Sequence, residues 1–276
     1  MDVSFATLAG THELPNEDAV AATPDFVAVV DGVSTSRLTT GCVHGTPWYA
    51  SSLATQIVAV ASREPGRELR RVLYAALEAV ALSHADTCDL TADGTPSATV
   101  AIARAFGDRL DYLVLSDATV AIDLGAGVEV VSDKRVDALV GDLSRAAKTA
   151  APGSVEQRDR LEELIATQRK LRNVEGGYWL AGAVPEAADH ALVGSVPLGD
   201  VRSVAAMSDG ASCLVDTYSA MDWGQALAML ADAGPGEWLY RVREVELADA
   251  SKSRWPRYKV SDDATIVLCQ GLSSAT

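Results

Sequence analysis

Basic charge is scarce in this chain. Lys and Arg number 23 against 38 Asp and Glu, a net charge of −15, which argues against nucleic acid or an anionic membrane surface as a partner. Long apolar runs are missing too: no window approaches the roughly 18 residues of a membrane span. The start, Met1-Asp2-Val3-Ser4, lacks the basic residues of a secretion signal, so the expected compartment is the cytoplasm. Cysteine is sparse, and Cys42, Cys88, Cys213 and Cys269 are scattered, with no CxxC pair and no histidines at zinc spacing. They are expected to be reduced, structural thiols. No GxGxxG or GxxxxGK[ST] follows a strand, which leaves a nucleotide-binding fold without support. No repeat of fixed period is visible.

What is present suits one sizeable core. Hydrophobic residues make up 48% of 276, and the expectation is a single domain over 1–276, acting as a monomer. Residues 3–9 and 26–30 read as strands on either side of a polar loop, 10–18. Apolar residues recur at helical spacing over 48–62 and 67–84, where Leu69, Val72, Leu73, Ala76, Leu77 and Val80 share a face. Four short strands follow at 98–105, 109–116, 119–123 and 128–132, expected as an antiparallel meander. Residues 133–176 turn charged and are helical around 155–171. Strand patterns resume at 178–181, 191–193 and 201–207, helices at 223–233 and 238–247, and a last strand at 264–269. Strands outnumber crossover helices, so the pattern predicts two stacked sheets with helices on the outer faces.

The apolar run Phe26-Val27-Ala28-Val29-Val30 stops at Asp31-Gly32, which delivers a carboxylate to a strand end beside a residue that lets the backbone turn or approach a ligand. An Asp-Gly turn between strands fits the same residues. The pattern recurs at Ser208-Asp209-Gly210 and, ending in Asp alone, at Ser116-Asp117. With Glu17 or Asp18, and with Asp262, five acidic positions fall at strand ends or adjoining loops. Gathering them costs several kcal/mol in repulsion and desolvation unless a cation is present. All-oxygen ligands select Mg2+ or Mn2+, and two such ions roughly 3.5–4 Å apart would share and activate a water for attack on phosphorus.

The order Asn16-Glu17-Asp18, Val30-Asp31-Gly32, Ser97-Ala98-Thr99, Ser116-Asp117, Ser208-Asp209-Gly210 and Asp262-Asp263-Ala264-Thr265 resembles the motif order of the type 2C, metal-dependent Ser/Thr protein phosphatases (PPM), across about residues 3–270. The resemblance implies an α+β fold: a four-layer α-β-β-α sandwich of two mainly antiparallel sheets flanked by helices. It implies two Mn2+ or Mg2+ ions, with a third held more loosely, and hydrolysis of phosphoserine and phosphothreonine esters by a metal-bridging hydroxide. Carried over, Asp31 bridges the metals, Asp209 and Asp262 complete one site, and Asp18 or Glu17 with the Gly32 carbonyl serves the other. Asp117 matches the third position, and residues 133–200 match the family's variable helical flap.

The departures concern phosphate handling. The family's arginine five positions before the first motif's Asp is Glu13 here, beside His12, which could serve as an acid or phosphate donor or be a plain loop residue. Arg37 could replace it as the phosphate clamp. Ser116-Asp117-Ala118-Thr119 stands for the usual Gly-Asp-Ser-Arg, Asp133-Lys134 for a histidine, and Asp263 for the usual asparagine, one more negative charge near the metals. Tyr178-Trp179 could line the cleft or belong to the core, and His44 and Cys213 read as ordinary residues. Two alternatives therefore stand beside a phosphoprotein substrate: a small phosphorylated molecule or another metal-assisted hydrolysis, and a non-catalytic pseudophosphatase that binds a partner protein.

Overall fold

A computed structural model describes residues 1–33, 41–151 and 153–272. Its strands are β1 (Asp2–Leu8), β2 (Asp18–Thr23), β3 (Phe26–Gly32), β4 (Ala98–Phe106), β5 (Arg109–Leu115), β6 (Thr119–Asp123), β7 (Val128–Val131), β8 (Leu192–Pro197), β9 (Ser203–Met207) and β10 (Ala264–Gln270). Its helices are α1 (Thr46–Arg63), α2 (Leu69–His84), α3 (Arg135–Thr149), α4 (Val155–Leu171), α5 (Asp209–Asp216) and α6 (Trp223–Ala248). Two five-stranded antiparallel sheets run in the orders β1-β10-β9-β6-β7 and β2-β3-β4-β5-β8.

Three apolar layers explain the sequence pattern. On β3 the side chains of Phe26, Ala28 and Val30 pack under α1 and α2, while Val27 and Val29 meet the other sheet. A strand covered on both faces has no wet side, so its residues read as one apolar run rather than an alternation. The third layer, beneath α5 and α6, holds Met207, Leu230, Ile266 and the fully buried Trp238, whose indole N–H donates to the Ala211 carbonyl at 2.9 Å. The α-β-β-α sandwich expected from the resemblance is therefore present. Among the described residues no helix is long and apolar enough to cross a membrane.

Several expectations need correction. The four strands from 98 are not one meander: β4 and β5 pair in one sheet, whereas β6 pairs with β9 and β7 in the other. The chain changes sheets at Ser116-Asp117-Ala118, where Ser116 adopts φ 64°. Of the 133–200 segment expected as a helical flap, residues 192–197 form β8, an edge strand hydrogen-bonded to β5. The strand expected at 178–181 is reduced to isolated bridges, Ala98 to Ala181 and Arg172 to Tyr178. The two helices expected after 222 are present as the two halves of α6, which break at Gly234 with φ 82°, the first capped by Asp222 and Gln225.

Candidate metal centre

Strand ends supply the carboxylates. Antiparallel pairing puts Asp18 of β2 and Thr99 of β4 opposite Asp31 of β3, one on each side. The sheet crossing presents Asp117, the first residue of α5 is Asp209, and Asp262 precedes β10. Asp31 shares a hydrogen bond with Asp209 and feels the charges of Asp18, Asp209, Asp117 and Asp262. The charges of Asp18, Asp31, Asp117, Asp209 and Asp262 thus act on one another, although among the described residues no three of these carboxylates bring oxygens within 4.8 Å of each other. Asp209 lies at the open side of the cleft, in contact with solvent although protein surrounds its base.

A second set of side chains holds those carriers in place. Ser208 Oγ donates to Asp18 Oδ2 at 2.8 Å and accepts the Thr265 N–H at 2.9 Å, tying β2, β9 and β10 together. The carboxylate of Asp263 accepts the Gly10 N–H and the Glu17 N–H, each at 2.7 Å, bracketing both ends of the loop between β1 and β2. Asp263 is thus a loop clasp, and its charge still acts on Asp18, as expected of one more negative charge beside the site. Arg243 donates to the Asp262 carbonyl at 2.6 Å and to the Leu8 carbonyl at 3.2 Å, and pairs with buried Glu246 at 2.6 Å. The loop leading to Asp262 winds around Asp249, which accepts the N–H groups of Ser253, Arg254 and Trp255 and pairs with Arg257 at 2.9 Å.

Three glycines make the approach possible. A Cβ on Gly10 would meet the Ser261 and Asp262 backbone, on Gly32 the Glu17 carbonyl and the Thr46 methyl, and on Gly210 the Asp263 carbonyl. Gly32 therefore serves close packing of its own neighbours.

The electrostatics are those of an uncompensated anion site. Burial, then the charges of its four neighbours, pushes the Asp31 carboxyl well above the usual range. Burial outweighs the Ser208 and Thr265 hydrogen bonds and raises Asp18 to about 7. Burial and the charges of Asp117, Asp262 and Asp18 raise Asp209 to about 7. Burial also raises Asp117, against Lys134 and Ser116. Asp18 Oδ1 and Thr99 Oγ1, flanking Asp31, are buried with no hydrogen-bond partner. Lys259 contacts Asp262 Oδ1 at 2.7 Å, the same oxygen that accepts the Asp263 N–H. Carboxylates with orphaned oxygens beside them are the hard donors that divalent cations of the Mg2+ or Mn2+ kind take, and drawing three of them onto one ion would require the side chains to close further than they do here.

The same two-sheet architecture is found in solved structures. The chain superimposes along 100% of its length on 99% of a bacterial serine phosphatase, with TM-score 0.59 and 14% identity. It also matches the catalytic domain of the Ser/Thr phosphatase PstP in complex with two manganese ions, with TM-score 0.57, 16% identity, 98% of this chain and 97% of that one. The PPM Ser-Thr phosphatase MsPP from Mycobacterium smegmatis, in complex with cacodylate, aligns with TM-score 0.56 and 16% identity over 97% of each chain. The fold is that of the PPM Ser/Thr phosphatases. No protein-family model matches the sequence, and no curated protein matches it significantly.

On this PPM scaffold the other expected residues fall as follows. Glu17 contributes its backbone to Asp263 and to Gly32, and its charge acts on Lys259. His12 and Glu13 are exposed in the loop between β1 and β2. Arg37 lies outside the described residues. A cavity of about 590 Å³ opens beside Asp117, with Tyr178, Arg169, Arg172, Lys252 and Lys259 in its wall and Leu161, Leu164 and Ile165 of α4 above it. Trp179 is buried and stacks on His190 at 3.5 Å, so only Tyr178 of that pair reaches the cavity. Sequence reasoning missed Arg169, Lys252 and Lys259, which seem unremarkable among the charges of exposed segments until the chain folds. It also missed a side-chain cluster elsewhere: Cys42, His44, His84 and Cys88 converge, contrary to the expectation of scattered thiols without nearby histidines. Their segments lie about forty positions apart and meet only through the α1–α2 hairpin.

Proposed function

We propose that this protein is a metal-dependent phosphatase that hydrolyses phosphoserine and phosphothreonine esters in one domain spanning the chain. The observation that carries it is the gathering of Asp18, Asp31, Asp117, Asp209 and Asp262 at the sheet ends with buried oxygens lacking partners. Asp31 would bridge two cations, Asp209 and Asp262 would complete one site, and Asp18 with the Gly32 carbonyl would complete the other, with Asp117 available to a third. Bound there, the cations supply Lewis acidity and lower the pKa of water. PstP, whose structure contains two manganese ions, supports Mn2+ as the first choice.

The chain's own residues do the rest. Ser208 fixes the orientation of Asp18, and Asp263 holds the loop that ends in Glu17. Arg169 reaches the cavity beside Asp117 and offers positive charge for a phosphate dianion where the family's usual arginine is replaced by Glu13, with Lys252 beside it donating one of its three ammonium protons to the Tyr258 carbonyl at 3.1 Å. Arg172 is already engaged by Ser97 and the Asp93 carbonyl, and so shapes the wall. The α3–α4 segment roofs this cavity and acts as the substrate flap.

A second reading has one specific support. Leu161, Leu164 and Ile165 give the cavity an apolar roof, which suits a small phosphoester with an apolar body. Mn2+-dependent turnover of p-nitrophenyl phosphate, followed by phosphopeptides against small phosphometabolites, tests both. Preference for phosphopeptides supports the first reading and preference for metabolites the second. Tight Mn2+ binding with no turnover of any phosphoester would remove the catalytic claim and leave a binding protein.

A further inference from the structure

Where the start of α1 meets the end of α2, side chains converge that the phosphatase reading leaves unused. Cys42 and His44 lie in the loop before α1, and His84 is the last residue of α2. Cys88 follows one turn later, its N–H donating to the His84 carbonyl at 3.0 Å. The backbone joins the two segments independently, since the Asp89 N–H donates to the Gly41 carbonyl at 2.9 Å.

Cys42 Sγ lies 3.8 Å from His44 Nδ1 and 3.7 Å from His84 Nδ1. Cys88 Sγ lies 3.5 Å from Cys42 Sγ and 3.3 Å from His44 Nδ1. One ligand atom from each of the four residues lies within 4.8 Å of every other. Zinc bonds of about 2.3 Å to sulfur and about 2.0 Å to nitrogen put tetrahedral ligand atoms roughly 3.3–3.8 Å apart. The four separations above fall in that range, and the two remaining pairs lie within 4.8 Å. The sulfurs are too far apart for a disulfide bond, which needs about 2.05 Å.

The rings are also held. His44 stacks on Trp48 with centroids 4.2 Å apart, and His84 meets the same indole at 5.1 Å. Cys42 and His84 are buried, whereas Cys88 is half-buried and His44 exposed, so an ion has a way in. A thiol is a weak donor and a weak acceptor, so sulfur alone compensates poorly for burying the polar edge of His84. Two sulfurs and two imidazoles in tetrahedral reach select zinc, while the all-carboxylate cleft selects harder ions.

We propose that Cys42, His44, His84 and Cys88 bind one structural zinc ion, which staples the segment following β3 to the α1–α2 hairpin. Four protein ligands close the coordination sphere, so the ion has no position for substrate. The proposal stands whether or not the acidic cleft is catalytic.

The test uses the full-length chain without an affinity tag, purified reduced from zinc-supplemented medium and dialysed against a weak chelator. Metal analysis should find about one zinc per chain. Replacing it with Co2+ should give intense tetrahedral d–d bands and a thiolate-to-cobalt charge-transfer band, both abolished by added zinc. Asp31→Asn should retain the zinc and the spectrum in full. Cys88→Ser should weaken zinc binding at least about tenfold, the scale seen when a site's support is lost. If Cys88→Ser does not fold, the cobalt titration of the unmodified chain decides alone. Reduced protein that takes up neither metal, or a cobalt spectrum without the thiolate band, overturns the proposal. So does a Cys42–Cys88 disulfide found by peptide mapping in chain isolated without metal under non-reducing conditions.

Discussion

Asp18 and Ser208, which meet at the acidic cleft, are 190 positions apart in the chain, whereas the Cys/His cluster is drawn from one helical hairpin. The cleft collects charges of one sign and leaves Asp31, Asp18 and Asp209 with raised pKa values, oxygens unpartnered, and one side open to water. The hairpin collects polarizable sulfur and imidazole donors against an indole, Cys42 and His84 buried and Cys88 and His44 reaching the surface. The difference teaches that gathering charge of one sign leaves a site tense until a cation arrives, whereas sulfur and imidazole donors can be packed together without that repulsion.

The comparison breaks most visibly if either site responds to the other's mutations. Asp31→Asn should lower Mn2+-dependent p-nitrophenyl phosphate hydrolysis at least about a hundredfold, given the several kcal/mol of charge stabilisation such ions supply. Its zinc content should not change. Arg243→Met leaves Glu246 buried without its cation and releases the Asp262 loop, so urea unfolding should show a loss of about 3–5 kcal/mol. Zinc analysis of the folded fraction of that variant should still give a full site.

Stripping zinc with a strong chelator should cost about 3–4 kcal/mol relative to protein in zinc at several hundred to a thousand times Kd. Manganese-dependent turnover of the stripped but folded protein should stay within about threefold, since structural metal supplies folding energy, not chemistry. The smallest effect concerns pH. Folded Asp18 keeps its proton up to about 7, but the unfolded chain releases it near 3.8. Stability of the manganese-free protein should therefore fall as pH rises through that window and level off above it. The fall should be on the order of 2 kcal/mol or more, since Asp31 and Asp117 are raised in the same direction as Asp18, and thermal melts with saturating Mn2+ should flatten it.

Much of the architecture was legible because apolar runs and helical periods survive in one dimension. The segments around β3, α1, α2, β4, β5 and β10 were placed within a few residues, and the acidic strand ends marked where a site would form. The sheet change at Ser116 was not, since a single residue at φ 64° leaves no periodic trace. The clasp made by Asp263 left no trace because its partners, the Gly10 and Glu17 amides, are backbone groups with no signature in sequence. The Cys/His cluster escaped because Cys-x-His and His-x3-Cys become one object only through helix packing.

The crowding at Gly10, Gly32 and Gly210 bears on how descendants of this chain should be judged. A side chain at any of them would collide with the loops that carry Glu17, Asp262 and Asp263. Selection for mere foldability would therefore preserve all three long after turnover had decayed, so in any lineage the glycines testify to ancestry and only the acids beside them to a living enzyme.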